Sequence, residues 1–186
     1  MKQPGLALWM FVIVLVPVPV WSANWRPLPD TGLAKCYDTT GTEITCPAAG
    51  QPLYGQDAQY QEVPPAYEKN NNQTVLDQHT GLVWIESDVD IQRTWQGAVS
   101  YCNELVFAGQ TDWRLPTKFE LESIVDYGRS FPALNKVFTC QHSFYWSATP
   151  HLHNPSYAWS VFCPDGADHW VDKTNNYYVR CVRDAE

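Results

Sequence analysis

Six cysteines in a chain of 186 residues restrict the possible folds more than any other feature of the sequence. They are Cys36, Cys46, Cys102, Cys140, Cys163 and Cys181. No two of them have the close spacing that is typical of a zinc-binding pair. In an exported domain, an even number of cysteines predicts disulfides instead, and six cysteines allow about 15 pairings. The cysteines therefore predict a small domain held together by three disulfides, and free buried thiols are the alternative.

The first 22 residues have the organisation of a secretory signal peptide. Lys2 precedes an apolar run over residues 6–20, and small residues follow at a cleavage point after Ser22 or Ala23. The run is shorter than the ~20 residues that a membrane span needs, and two prolines interrupt it. We therefore expect residues 1–22 to be removed, with a single uncleaved anchor as the alternative. The mature chain is expected in the periplasm or outside the cell, without a stable membrane span.

The charge of the chain excludes several classes of partner. The formal net charge is −8, whereas nucleic acids and anionic membranes attract basic surfaces. The same argument disfavours a sulfated polysaccharide, unless the 12 lysines and arginines cluster on one surface.

The chain divides into an arm over residues 23–73 and a domain over residues 74–186. The arm is rich in proline, glycine, threonine and aspartate, which is typical of an extended segment packed on a larger domain. Within it, KCYDTTGTEITC has the pattern of a hairpin with Cys36 and Cys46 opposite each other at its ends. This pattern is compatible with a local disulfide between the two cysteines.

The domain alternates short strand patterns with two helix patterns. Thr94 is a suitable N-cap for an amphipathic helix that reaches about Ala108, and Thr117 and Glu120 form a capping box for a second helix that ends near Tyr127. In the last third, SFYWSAT, YAWSVFC and NYYVRCVR alternate as strands do. The order of strands, two helices and antiparallel strands predicts an α+β fold.

Several motifs of this domain recur together in a known family. In order, they are LDQHTGLVW, TDWRLPT with the helix that follows it, YWSAT, AWSVFC and YVRCVR. With them the chain resembles the C-terminal domain of the Legionella collagen-like protein, the Lcl C-terminal domain family, over residues 74–183. The resemblance implies a bacterial source and a C-type lectin-like fold, in which two helices pack on a small irregular antiparallel sheet.

The resemblance also implies structural roles that the residues alone leave open. It implies that Cys102 pairs with Cys181 and Cys140 with Cys163, which leaves Cys36 and Cys46 for the hairpin. It places the segment between the helices close to the core, so we expect Trp113 and Leu115 to be buried. Asp112 and Arg114 are then expected to hold loops together rather than to bind a ligand.

The sequence contains no recognisable catalytic motif, which predicts a protein that is not an enzyme and has no cofactor. It lacks a nucleophile elbow, a phosphate-binding glycine loop and a helical His-Glu-x-x-His. We predict no metal site, because the candidate ligands have no spacing signature. The alternatives are zinc on His142, His151, His153 and His169, and calcium on Glu86, Asp88 and Asp90 or on Asp165 and Asp168.

The loops of the last third are the best candidates for binding, because they combine aromatic and hydrogen-bonding side chains. The candidate ligand-binding residues are His151, His153, Asn154, Tyr157, His169, Trp170 and Asp172. We predict an adhesin-like or cell-envelope module that binds a glycan or a protein, although the rings could instead pack inward. The alternative function is a structural or assembly subunit of a periplasmic or surface complex. The collagen-like relative implies adhesion to glycosaminoglycans, which the acidic charge of this chain disfavours.

Overall fold

The structure, a computed structural model, describes residues 30–60, 63–87 and 92–185, and the expected signal peptide lies outside these ranges. The described residues form eleven strands, two α-helices and a short 3-10 helix at Asp57–Gln59. The strands are β1 (Cys36–Tyr37), β2 (Glu43–Ile44), β3 (Tyr67–Lys69), β4 (Thr74–Asp77), β5 (Leu82–Ile85), β6 (Gln92–Arg93), β7 (Phe144–Pro150), β8 (Tyr157–Phe162), β9 (Asp168–Asp172), β10 (Tyr177–Tyr178) and β11 (Val182–Asp184). The helices are α1 (Trp95–Glu104) and α2 (Lys118–Glu122). In this part of the chain, neither helix has the length and apolar character needed to cross a membrane.

The first sheet is the small hairpin of the arm. Strands β1 and β2 pair with each other, and the carboxylate of Asp38 accepts the backbone N–H groups of Thr40 and Thr42 in the turn between them. A disulfide joins Cys36 and Cys46 across the ends of the hairpin, as the sequence predicts. The bridge and the turn together hold a segment that has little core of its own.

The second sheet has four antiparallel strands in the order β11-β5-β4-β3. The DQHTG turn joins β4 to β5, and the carboxylate of Asp77 accepts hydrogen bonds from His79 and Thr80 within it. Val75 and Trp84 lie opposite each other on the buried side of these strands. The edge strand β3 belongs to the segment that we interpreted as an arm.

The third sheet has five strands in the order β6-β10-β7-β8-β9, and a helix packs on each of its two sides. Trp146 and Ala158 share one core cluster with residues of α1. Tyr145 and Val161 share the other cluster with Leu121 of α2. Because neighbouring residues of a strand point to opposite sides, α1 and α2 cover opposite sides of this sheet.

The predicted fold class is therefore wrong. We expected an α+β, C-type lectin-like fold with two helices packed on one small irregular antiparallel sheet. The described residues instead form a mostly β structure of three sheets, and the helices contain 10 and 5 residues. One cause is that NYYVRCVR divides into β10 and β11, which belong to different sheets. Another is that β9 lies in a segment that we predicted as a loop.

Both helices begin where predicted and end earlier. Thr94 caps α1, but Leu105 has an extended backbone, and Phe107 then pairs with Gln110 in a tight turn. After α2, Val125 forms an isolated bridge with Leu134. In each case, backbone pairing with a neighbouring segment replaces the last turns that helical periodicity predicts.

The segment between the helices is part of the scaffold. Trp113 and Leu115 are buried, as expected. Arg114 exchanges two backbone hydrogen bonds of 2.9 Å with Val182, so this segment is tied to β11. The guanidinium of Arg114 donates to both carboxylate oxygens of Glu120, each at 2.8 Å. The expected role of Arg114 in holding loops together agrees with these contacts.

The carboxylate of Glu120 makes the stability of this segment dependent on pH. Burial raises the pKa of Glu120, but hydrogen bonds from Arg114 and from the backbone N–H of Thr117 outweigh that effect and leave the pKa below its ordinary value of 4.5. A carboxylate with a lowered pKa stabilises the fold above its unfolded pKa, and this stabilisation is lost as the pH falls through the folded pKa. We expect Glu120→Gln to flatten the dependence of the unfolding free energy on pH below about pH 5. Urea denaturation at several pH values measures this, with the exposed Glu104→Gln as control, and an unchanged slope in Glu120→Gln contradicts it.

The two long-range disulfides join separate elements of the domain. Cys102 of α1 is bonded to Cys181, which lies between β10 and β11. Cys140, before β7, is bonded to Cys163, directly after β8. This is the pairing that the resemblance implies.

Candidate functional site

One side of β8 and β9 carries an aromatic surface. Tyr157 pairs with Asp172, Trp159 with Trp170, and Val161 with Asp168, so these side chains point to the same side of the sheet. This is the side on which α2 packs. We call the surface formed by Lys118, His151, Tyr157, Trp159 and Trp170 the Trp170 face.

The rings of the Trp170 face are in contact with one another. The ring centroid of Trp170 lies 5.3 Å from that of His151 and 5.2 Å from that of Tyr157. His151 also lies 5.5 Å from Trp159. Despite these contacts, 52% of the surface of Trp170 is exposed. A tryptophan that packed inward would be largely buried. The cluster therefore holds a large ring in place while leaving much of it open to a ligand.

Lys118 adds fixed charge beside these rings. It is the first residue of α2, and its ammonium lies 4.7 Å from the ring centroid of Trp159. Its Nζ atom is 2.8 Å from carboxylate oxygens of both Glu122 and Asp168. The hydrogen bond from Lys118 lowers the pKa of Asp168. A hydrogen-bond donor, Lys118, and an acceptor, Asp168, thus stand next to the aromatic surface as an ion pair.

The turn between β7 and β8 positions His151. The Nδ1 atom of His151 accepts the backbone N–H of Asn154 at 3.1 Å, and the carbonyl of Asn154 accepts the N–H of Tyr157 at 3.0 Å. The side chain of Asn154 accepts the N–H of Ser156. Asn154 therefore shapes the turn, while Leu152 at its tip is exposed.

A groove lies beside α2, the helix that begins at Lys118. It has a volume of about 350 Å³, and Phe119, Glu122 and Tyr127 are among its lining residues. Phe119 is 78% exposed, and its ring centroid lies 5.6 Å from the ammonium of Lys118. The ammonium of Lys118 therefore lies near the ring of Trp159 in the Trp170 face and near the ring of Phe119 in the groove.

The predicted binding residues are only partly brought together. His151, Tyr157 and Trp170 are in direct contact, and His153 lies at the margin, 6.2 Å from His151 between ring centroids. Asp172 is on the same side of β9, but its carboxylate accepts the backbone N–H and the hydroxyl of Thr174 in the next turn.

His169 lies on the opposite side of the sheet. Its ring centroid is 5.4 Å from that of Phe144 and 6.5 Å from that of Phe162. His142 also contacts Phe162 there, at 5.9 Å. The strand alternation of β9 separates His169 from Trp170, because consecutive residues of a strand face opposite sides.

Two residues of the Trp170 face, Trp159 and Lys118, were absent from our predicted set. Trp159 follows Tyr157 by two positions in a segment that we predicted as a strand, so period-two alternation was enough to find it. Lys118 has no such signal, because only tertiary packing brings the start of α2 to β8 and β9.

The alternative metal sites can be compared with the described residues. In the ranges that the structure describes, no group of three or more histidine, cysteine, aspartate or glutamate side chains is placed to hold a metal ion. His151 and His169 lie on opposite sides of the sheet. The carboxylate of Asp165 accepts the N–H of Ala167, and Asp168 pairs with Lys118. Asp88 and Asp90 lie outside the described residues.

The fold and its disulfides define a class of protein: a small, mostly β, disulfide-bonded module of the kind found outside the cytoplasm. The family model of the Lcl C-terminal domain matches residues 73–183, which is more than half of the chain. The chain belongs to the Lcl C-terminal domain family. Membership of this family and the disulfides together indicate a surface-associated binding module in an extracellular or periplasmic setting. No curated protein matches the chain.

Proposed function

We propose that the chain is a non-enzymatic binding module, exported to the cell envelope or the exterior, that recognises a neutral glycan through the Trp170 face. The observation that carries this proposal is the half-exposed ring of Trp170, held between His151 and Tyr157. Loops and strand ends on a rigid scaffold are where binding residues most often lie.

A sugar ring fits the chemistry of this surface. Its C–H groups form an apolar side that stacks on an aromatic ring, and its hydroxyl groups need hydrogen-bond donors and acceptors nearby. Trp170 and Trp159 supply the rings, and the Lys118–Asp168 pair supplies a donor and an acceptor beside them. Binding sites combine mostly apolar walls with a few polar groups in this way.

The charge of the chain favours a neutral sugar over a sulfated one. The net charge is −8, and the one lysine of the Trp170 face is already paired with two carboxylates. A sulfated chain brought to this surface would meet acidic side chains whose charge is only partly compensated. Neutral hexoses carry no such penalty.

Groups that catalysis would use are engaged in positioning contacts. Lys118 is held by Glu122 and Asp168, and His151 accepts a backbone hydrogen bond. No nucleophile activated by a neighbouring base is found at the Trp170 face, in the residues that the structure describes. These contacts support a binding role rather than a reaction.

A glycan array tests the proposed function. The oxidised mature chain is applied once with calcium and once with a chelator. We expect binding to neutral glycans in both conditions, because the Trp170 face binds through rings and an ion pair. Loss of binding in chelator would contradict the proposed site and favour the acidic loops. Binding to sulfated glycans alone would contradict the charge argument, and an array without binding would favour a structural or assembly role.

A further inference from the structure

Strand β9 forms an open edge of the five-stranded sheet. It is the last strand in the order β6-β10-β7-β8-β9, and its five residues pair with β8 in an unbroken register. The other edge strands are shorter: β3 and β11 have three residues, and β1, β2 and β6 have two each. Arg114 also covers the outer side of β11. Within the described ranges, β9 is thus the longest strand edge without a neighbour.

The register shows which backbone groups of β9 point outward. The N–H of Phe162 donates to the carbonyl of Ala167, and the N–H of Lys173 donates to the carbonyl of Ser156. In an antiparallel pair, hydrogen-bonded and non-hydrogen-bonded positions alternate. Trp170 therefore occupies a non-hydrogen-bonded position opposite Trp159, and its N–H and C=O point away from β8.

The same alternation turns the backbone of Asp168 and Asp172 outward. The carbonyl of Asp172 accepts the N–H of Asn175, whereas no backbone partner for the N–H or the C=O of Trp170 lies within the described ranges. Edge strands are usually protected from pairing by a proline, a bulge, a covering segment or charged side chains, and the charged side chains of β9 are those of Asp168 and Asp172. Strand β9 contains no proline and no bulge.

We propose that β9 takes up an extended, basic peptide segment of a protein partner as an additional strand, in which two basic side chains flank a central apolar one. The pattern is basic-x-apolar-x-basic, because the partner residues opposite Asp168, Trp170 and Asp172 share one side of the extended sheet. The basic residues lie opposite the two aspartates, and the apolar residue lies against the ring of Trp170.

The charges of β9 argue against a second copy of the chain as the partner. In antiparallel self-pairing centred on Trp170, Asp168 of each copy lies opposite Asp172 of the other. Like charges directly opposite each other destabilise a strand pair, whereas opposite charges stabilise it. The same two aspartates therefore disfavour a dimer and favour a basic strand. Lys118 compensates Asp168 only in part, because its one positive charge is shared between Asp168 and Glu122.

This inference goes beyond the proposed glycan recognition and does not depend on it. Glycan binding requires the ring of Trp170, whereas strand addition requires the backbone N–H of the same residue. Variants that remove only the ring therefore test glycan binding, whereas a variant that also removes the backbone N–H tests strand addition.

The first experiment compares two synthetic peptides by NMR titration. One is Ser-Lys-Thr-Val-Thr-Lys-Ser and the other is Ser-Glu-Thr-Val-Thr-Glu-Ser, each acetylated and amidated at its ends. We expect the basic peptide to bind about tenfold more tightly, because it places opposite rather than like charges across from Asp168 and Asp172. The backbone amide signals of β9 are expected to shift on binding. Equal affinities, or shifts confined to other strands, would overturn the proposal.

The second experiment isolates the backbone N–H of position 170. Trp170→Val and Trp170→Pro both remove the ring, but only the proline variant also removes the N–H. Because that N–H points outward, proline breaks no hydrogen bond to β8. We expect the basic peptide to bind Trp170→Pro at least about fivefold more weakly than Trp170→Val. Equal binding by the two variants would overturn the proposal.

Modified peptides keep this test decisive if Trp170→Pro does not fold. Two versions of the basic peptide carry N-methyl groups on alternate residues, so that each version blocks one edge of the peptide strand. We expect one version to lose binding and the other to retain it. Loss or retention by both versions would overturn strand addition. The chain without peptide could also self-associate, and Trp170→Pro could abolish that association. This result would overturn the proposal of a basic partner strand in favour of a second copy of the chain.

Discussion

Replacing Cys102 and Cys181 together by alanine is expected to lower the free energy of unfolding by about 4 kcal/mol. This disulfide spans a sequence separation of 79 residues, and both half-cystines are buried. Closing so long a loop restricts the unfolded chain strongly, since the entropy that a cross-link removes grows with the logarithm of loop length. The bond also fixes α1 to the segment where the chain passes from the five-stranded sheet to the four-stranded one. Urea denaturation followed by tryptophan fluorescence measures the loss.

The hairpin disulfide supplies the matched control. Cys36 and Cys46 are separated by only 10 residues, so loop closure predicts a loss smaller by about 2 kcal/mol when both are replaced by alanine. The two double variants could instead be equally stable, or the hairpin variant could be the less stable of the two. Either result would show that loop-closure entropy is not the main way in which the Cys102–Cys181 bond stabilises the fold.

Replacing Trp170 by alanine is expected to weaken binding to the best glycan of the array by about thirtyfold, which corresponds to about 2 kcal/mol. The ring is the most exposed tryptophan surface of the Trp170 face, and the neighbouring rings of His151 and Tyr157 hold it in position. Because half of the side chain is already in contact with solvent, its removal is expected to change the stability of the fold little. Isothermal titration calorimetry measures the affinity, and thermal unfolding measures the stability.

Tyr60→Ala is the control for this substitution. Tyr60 is 54% exposed, similar to Trp170, and it lies in the arm at the end of the 3-10 helix. We expect Tyr60→Ala to bind the glycan as the unchanged chain does. If Tyr60→Ala and Trp170→Ala lose the same glycan affinity, exposed rings contribute to binding without forming a defined site. If Trp170→Ala loses no affinity, the glycan binds elsewhere on the chain.

Local signals in the sequence predicted the elements better than their arrangement. The caps at Thr94 and Thr117 were confirmed, because N-capping depends on side chains within a few residues. The hairpin between Cys36 and Cys46 was confirmed for the same reason. The pairing of Cys102 with Cys181 came instead from the family resemblance, since spacing alone leaves all pairings open.

The fold class failed because sheet membership depends on contacts between distant residues. Val179 to Cys181 carry the chain from β10 to β11 within one apparently continuous strand pattern, and nothing in that pattern marks the change of sheet. The strand β9 was missed because DHWVD follows a Pro-Asp-Gly turn and has polar ends, which is also typical of a loop. Its pairing with β8 comes from the hairpin between them.

The candidate site was predicted in the right region but with a mixed set of residues. Composition identified the segments around His151 and Trp170, yet it could not assign a side of the sheet to each residue. Once the register is known, alternation joins Tyr157 and Trp159 to Trp170 and removes His169. Lys118 required the packing of α2 on β8, which no local pattern encodes.

The most direct test of glycan binding at the Trp170 face follows the indole N–H signals of the tryptophans by NMR while the best glycan of the array is added. Trp170 and Trp159 belong to the Trp170 face, whereas Trp84, Trp113 and Trp146 are fully buried and serve as internal controls. We predict that the signals of Trp170 and Trp159 shift progressively to saturation and that those of the three buried tryptophans stay in place. An unmoved Trp170 signal at saturating glycan would contradict the claim that the Trp170 face is the binding site.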